Sequence, residues 1–493
     1  MYTWLQKYSP YMTKKKLYYI KFYSANLAKC NIEMNNRQPK AFNNIPGPKS
    51  LPVIGTLYKY LPFIGEYSFT NLYESGKRKL EHFGPLVREE IVPNVNVVWV
   101  YRPEDIAEIF KAESGLHPER RSHLALLKYR KDRTDIYNTG GLLPTNGPEW
   151  WRLRKEFQKV SSKPQDVINY LKETDDVIQE FIGLCINEKF DDFLPLLSRL
   201  FLELTCLVVF DVRLNSFSKE ERCENSTSSK LIKAAFTTNS AILKLDNGLQ
   251  LWRFFETPLY RKLPIIFNLT RDYHLLFMIT RLFLITTYST AFALYHLARH
   301  QDIQEKLRIE ATQFLADHSQ PITASVLRNA SYTKAVIKES LRLNPISIGI
   351  GRILQNDIVL NGYHVPKRTV VVTQNQIICR LSEYFNKPDL FIPERWLREH
   401  SESSSKINCG KSVHPYVLLP FGHGPRSCIA RRFAEQNMQV LLLRMCQRLK
   451  IFWHGGKLGM ISLLINKPDA PLKFNFHEIL KTNSTCFQKK EIL

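Results

Sequence analysis

A chain of 493 residues, 44% hydrophobic and 23% charged, is long enough to bury a large core and too apolar to be disordered throughout. Its formal net charge of +23 suits acidic partners or anionic surfaces, yet no zinc-finger, RRM or helix-turn-helix pattern supports nucleic acid. The nine cysteines contain no C-x-x-C pair and no regular framework, which speaks against a disulfide scaffold and suits a reducing compartment.

Residues 1–44 hold eight Lys or Arg and one acid, Glu33. They lack an apolar run able to span a bilayer and the compact apolar core of a secretory signal. They read as a mitochondrial targeting leader, with a disordered basic tail as the alternative. Pro46-Gly-Pro-Lys-Ser-Leu-Pro-Val-Ile-Gly55 is a turn-rich hinge, and residues 45–493 follow as one domain.

Residues 95–101 predict a strand, and Pro103 to Lys111 a short helix. Asn146-Gly-Pro-Glu149 has capping-box spacing and opens a helix. Trp150 and Arg154 share a face of that helix, as on any amphipathic helix whose Trp packs inward. Residues 275–298 predict a largely apolar helix that crosses the molecule. Arg271, Asp272 and Arg281 interrupt its approach and argue against a membrane span. Tyr332 to Leu343 is a helix ended by Asn344-Pro345, with Glu339 and Arg342 on one face. Ile358-Val-Leu, Tyr363-His-Val and Thr369 to Val372 predict short strands of one small sheet. Phe391-Ile-Pro-Glu-Arg-Trp396 supplies Arg395.

The chain then reaches Phe421-Gly-His-Gly-Pro-Arg-Ser-Cys428, a glycine-punctuated loop that delivers one cysteine to the start of a helix. Gly422 and Gly424 permit backbone angles that other residues resist. A thiol at a helix N-terminus has its pKa lowered, and a thiolate so held can be the axial ligand of a haem iron. A lone cysteine is more often a buried structural residue. The spacing Phe421-x-x-Gly424-x-Arg426-x-Cys428, however, resembles the haem-binding loop of the cytochromes P-450.

That resemblance runs from about Pro46 to the C-terminus and implies a mainly α fold with small β-sheets. The implied cofactor is haem (heme b, iron protoporphyrin IX), with Cys428 as thiolate ligand of the iron. Trp150, Arg154, Arg352, Phe421 and Arg426 match haem-contacting positions of the family. Glu339, Arg342 and Arg395 match its structural trio, which braces the cysteine loop. Leu251-Trp-Arg-Phe-Phe-Glu-Thr-Pro-Leu-Tyr-Arg-Lys262 resembles the mitochondrial branch. Members of that branch dock an acidic two-iron ferredoxin, itself served by a reductase, on basic residues at the places of Lys334, Lys338, Arg431 and Arg432. Taken singly, each of these four reads as a solvated surface charge.

Tyr288 to His296, Asn344 to Leu354 and Cys428 to Met438 are similar to the arthropod steroid 22-hydroxylases of ecdysteroid synthesis. The implied activity is hydroxylation of an apolar steroid by dioxygen, on the inner mitochondrial membrane as a peripheral protein. Residues 120–147, Ile346 to Leu354 and the loop around Ile461 to Leu464 would line the substrate, with Arg120 and Arg121 near a hydroxyl or keto group. A member that oxidises foreign apolar compounds is the alternative.

The central helix departs from the family. Leu282-Phe-Leu-Ile-Thr-Thr-Tyr288 lacks the glycine and the acid that normally precede the relay threonine. Thr286 is the candidate for that threonine, although a gap-free match puts Ile285 there. The interval from Lys262 to Thr286 leaves room for about one long helix, a shortened region before the central helix. A catalytically impaired haem-binding variant is therefore a further reading.

Overall fold

The computed structural model describes residues 38–113, 115, 117–161, 164–247, 250–268, 276–397, 413–463 and 465–479. In chain order come α1 (Leu72–Phe83), β1 (Leu86–Val92), β2 (Val95–Val100), α2 (Pro103–Lys111), α3 (Leu124–Lys131) and α4 (Gly147–Ser161). The middle is helical: α5 (Pro164–Asn169), α6 (Leu171–Asn187), α7 (Leu194–Phe210), α8 (Thr227–Asp246), α9 (Pro258–Asn268), α10 (Leu276–Arg299), α11 (Gln301–Phe314), α12 (Ala324–Asn329) and α13 (Ser331–Leu343). Then follow β3 (Gly351–Ile353), β4 (Ile358–Leu360), β5 (Tyr363–Val365), β6 (Val370–Thr373) and α14 (Asn375–Ile378). The last elements are α15 (Arg431–Arg448), β7 (Leu449–Trp453), β8 (Met460–Leu463), β9 (Ile465–Pro468) and β10 (Phe474–Glu478).

Local chemistry explains several boundaries. Pro103 sits in the first turn of α2, where its missing N–H costs nothing, and Glu104 and Asp105 complement the helix dipole there. Ile106, Ile109 and Phe110 recur at helical spacing and are buried. The apolar helix expected over 275–298 is α10. From Phe283 onward it is buried nearly all round, in one cluster with side chains of α6, α7, α13 and α15. Its 24 residues span about 36 Å, so it can carry one rigid axis through the core. Among the described residues, no helix is long and apolar enough to cross a membrane.

Four strands form one sheet in the order β1-β2-β6-β3. The three strands expected in a single small sheet divide between two. β4 and β5 form a two-stranded sheet of their own, with Lys40 bridging to Tyr363 of β5, whereas β6 runs parallel to β2, with Val97 opposite Val370. That partner lies far away in sequence, so local alternation carries no sign of it. Residues 1–37 of the expected leader lie outside the described residues. Residues 38–44 touch the folded body: the Lys40 N–H donates to Gly362 O at 2.9 Å, and Phe42 packs beside the cluster of Val98, Val371 and Phe385.

Candidate active site

The loop before α15 turns sharply because Gly422 and Gly424 take φ of 75° and 68°, in the left-handed region. The Cys428 N–H donates to Phe421 O at 2.7 Å, and the Ser427 N–H to Gly424 O at 3.0 Å, which closes the loop on itself. Cys428 shows an exposed surface although protein surrounds it closely enough to desolvate it. A side chain of that kind faces an opening in the protein rather than bulk water. Burial pushes its thiol pKa up; the Ala430 N–H and the Arg154 guanidinium pull the other way. The expected lowering by a helix N-terminus is therefore overturned. The helix starts only at Arg431, and desolvation outweighs the nearby donors. Binding a metal would reverse this balance, since the cation takes the place of the proton.

Four arginines converge beside this loop. Arg426 donates to Pro118 O (2.6 Å), Thr145 O (2.8 Å) and Asn146 Oδ1 (2.8 Å), and its guanidinium lies 4.0 Å from the Trp150 ring centroid. Burial, with the charges of Arg120, Arg352 and Arg154, pushes its pKa down to about 8. Arg154 is buried too, and burial lowers its pKa. Arg352 binds the Glu113 carboxylate and donates to His423 O at 3.2 Å, which ties β3 to the cysteine loop. Arg426 Nη1 and Arg154 Nε are buried without a partner. Positive charge crowded into a desolvated place, with unpaired N–H groups, calls for an anion. The two carboxylates of a haem are a chemical match for it; Arg154, Arg426 and Arg352 would hold them, and Cys428 would hold the iron.

The capping box expected at Asn146 is replaced by a different use. Asn146 Oδ1 accepts the Arg120 N–H (3.1 Å) as well as Arg426, and Asn146 Nδ2 donates to Arg120 O (2.9 Å). Glu149 is held by Arg152 at 2.9 and 3.0 Å. A buried guanidinium outcompetes a helix N–H for the same oxygen, because it brings full charge. Arg120 and Arg121 are also engaged with protein: Arg120 donates to Leu143 O at 2.7 Å, and Arg121 to Gln250 Oε1 at 3.4 Å.

On the other side of the loop, Glu339 is fully buried between two arginines. Its Oε1 accepts from Arg342 (2.8 Å) and Arg395 (3.0 Å), and its Oε2 from Arg342 and the Trp396 indole (both 2.9 Å). Arg342 also donates to the carbonyls of Cys379 (3.0 Å), Pro388 (2.6 Å) and Leu390 (3.0 Å). Burial acts to raise the Glu339 pKa, but the arginines prevail and hold it below the usual carboxylate range. Trp396 closes the Pro-Glu-Arg-Trp run but carries no sequence signal of its partner Glu339, and Glu113, distant from Arg352, carries none of its own.

Phe421 joins Lys334, Lys338 and Arg431 along one open groove of about 400 Å³. Arg431 stacks over Phe421 and pairs with Glu435 at 3.0 Å. The Lys338 pKa is lowered by burial and by Arg431. Arg432 is exposed on the first turn of α15 and is not part of the groove lining. On α10, Thr286 is buried, whereas Ile285 is exposed. The Thr287 hydroxyl is spent on Phe283 O at 2.8 Å.

Known proteins resemble the chain over most of its length. The family model for cytochrome P450 matches residues 45–281 and 285–475. The break falls inside α10, at the stretch that lacks the glycine and the acid. Cytochrome P450 302a1, mitochondrial, of Drosophila melanogaster is 44% identical over 88% of this chain and 94% of its own. Probable cytochrome P450 49a1 of the same fly is 29% identical over 88% and 82%. Probable cytochrome P450 301a1, mitochondrial, is 27% identical over 91% and 88%.

Proposed function

The chain belongs to the cytochrome P450 family, a haem-thiolate monooxygenase family, and from that premise we propose that it is a mitochondrial steroid hydroxylase. Its substrate is an ecdysteroid precursor, oxidised at carbon 22 with dioxygen and with electrons from an acidic two-iron ferredoxin and its reductase. The observation that carries the reading is the juxtaposition of Cys428, facing an opening, with two buried guanidinium groups that hold unpaired N–H donors. Turnover of sterols with ferredoxin and reductase tests it. A single product hydroxylated at carbon 22 is expected; turnover of foreign apolar compounds with no sterol oxidation would overturn it.

When bound, thiolate-ligated haem supplies the oxygen activation that puts one atom into a C–H bond while the other leaves as water. The chain's own residues do the rest. Cys428 holds the iron. Arg154, Arg426 and Arg352 take the propionates, and Trp150 backs the Arg426 plane. Arg426→Leu is therefore expected to speed haem loss by roughly tenfold or more, read as transfer of haem to apomyoglobin, since a charge-assisted pair contributes a few kcal/mol. Phe421 and Arg431 close the outer side of the loop.

Lys334, Lys338 and Arg431 offer acidic groups a cationic groove, and Arg432 extends the field beside it. Lys334→Glu together with Lys338→Glu is expected to raise the KM for ferredoxin by at least about tenfold, with the haem spectrum unchanged. An unchanged KM would remove this surface from the account.

Thr286 is the proposed proton relay. The missing acid favours a second feature of the reading, in which proton delivery is slow and oxygen is consumed in excess of product. Thr286→Val is expected to lower the product-to-oxygen ratio further, while coupled turnover unaffected by the change would exclude Thr286.

Two apolar stretches support a peripheral place on the inner membrane. Val53, Phe63 and Ile64, and separately Phe254 and Phe255, are largely exposed. The first stretch is held to the body by Glu89, which accepts from Thr56 (3.1 Å), Tyr60 (3.0 Å) and Trp99 (2.7 Å). Residues 1–44 are proposed as the leader that directs the chain there.

A further inference from the structure

Among the described residues, Asn239 is the one amide side chain with both its oxygen and its nitrogen buried and unpaired. It lies on α8 at 4% exposure. Ala235, Phe236, Ile242 and Leu243, three and four residues away, share its side of the helix by spacing, and no side chain among them can hydrogen-bond it; Asp246, two turns on, is spent on the Leu124 and Ala125 N–H groups. Phe236, one turn earlier, packs on Tyr288 of α10, with ring centroids 6.3 Å apart. α8 also touches β8, the strand that carries Ile461. A hydroxyl on a helix can turn back onto its own backbone, as Thr237 does with Lys233 O at 2.7 Å. An amide offers an acceptor and two donors at once, and no such turn satisfies it. An unpaired buried polar group calls for an occupant that completes it.

We propose that Asn239 is a specificity-determining residue that binds a hydroxyl or keto oxygen of the substrate, fixing one end of an otherwise apolar molecule. A hydroxyl fits both ends of the amide, donating to Oδ1 and accepting from Nδ2. The proposal rests on the substrate reading above and adds the group that is recognised. The protein then favours an oxygenated molecule over its deoxy analogue, which leaves the amide as unpaired as it is in the free protein.

The test uses the haem-loaded full chain and the substrate-induced Soret shift. The probes are cholestane and cholestanes that carry one hydroxyl or keto group at different ring positions. At least one oxygenated cholestane is expected to bind roughly ten- to a hundredfold more tightly than cholestane. Asn239→Leu is expected to erase that preference, to leave cholestane binding unchanged, and to raise the unfolding temperature by removing an unpaired amide. Asn239→Ala, which adds no bulk, is read beside it. A preference that persists in both variants overturns the proposal. So does loss of the folded haem–thiolate spectrum in both, which would make the amide a support of the fold. If no cholestane shifts the spectrum of the unaltered protein, the steroid reading fails by itself. An alkylphenol and its alkylbenzene then serve as the matched pair, with the same two outcomes for Asn239.

Discussion

Cys428→Ser eliminates product formation and the thiolate-type Soret band while the chain keeps its helical content. The loop's shape does not depend on sulfur. Gly422 and Gly424 set the turn, and the backbone bond from the Cys428 N–H to Phe421 O survives the change. What disappears is the one soft, ionisable ligand on an otherwise preorganised loop. A serine hydroxyl beside the same donors has too high a pKa to ionise and coordinate as thiolate does. Arg154, Arg426 and Arg352 keep their places, so weak haem retention without activity is the expected phenotype. A variant that retained turnover would show that another residue carries the iron.

Glu339→Ala is expected to cost about 3–5 kcal/mol, the range for removing one partner of a buried ion pair. Against a total stability of roughly 5–15 kcal/mol, that brings the protein close to unfolding at physiological temperature. The arithmetic follows from geometry. Arg342 keeps its three carbonyl partners after the change, but it and Arg395 lose their shared counter-charge while fully or nearly buried. Chemical denaturation of the haem-loaded protein measures the loss. The same carboxylate gives acid sensitivity with a definite sign. Its folded-state pKa is held low, so its contribution is complete above the ordinary glutamate range and is lost as pH falls through that range toward the depressed value. Glu339→Gln is expected to flatten that part of the stability profile; an unchanged profile would place the acid sensitivity elsewhere.

Much of this was readable in the chain because the signals were local. The turn at Gly422 and Gly424, the start of α2 at Pro103, and the apolar period of α10 depend on neighbours a few residues apart. The interlock of Glu339, Arg342 and Arg395 was reachable only through resemblance to known motifs, since its members come from separate segments. What remained hidden was set by distant contacts. The parallel partner of β6 is β2, far upstream. Asn146 serves Arg426 instead of its own helix, because a buried charge arrives from the cysteine loop. The thiol pKa reversed sign for a related reason: burial is a property of the whole fold, and a sequence shows only the nearby helix end. Asn239 carried no sequence signal either. An asparagine inside a helix reads as ordinary until its side chain proves buried and unpaired.

The carbon monoxide difference spectrum of the reduced, purified protein tests the central claim most directly. A red-shifted thiolate Soret band, present in the unaltered chain and absent from Cys428→Ala, is the predicted result. A band at the position of a histidine- or water-ligated haem, or no haem band at all, would contradict a thiolate centre at Cys428. With it would fall the roles given to Arg154, Arg426 and Arg352.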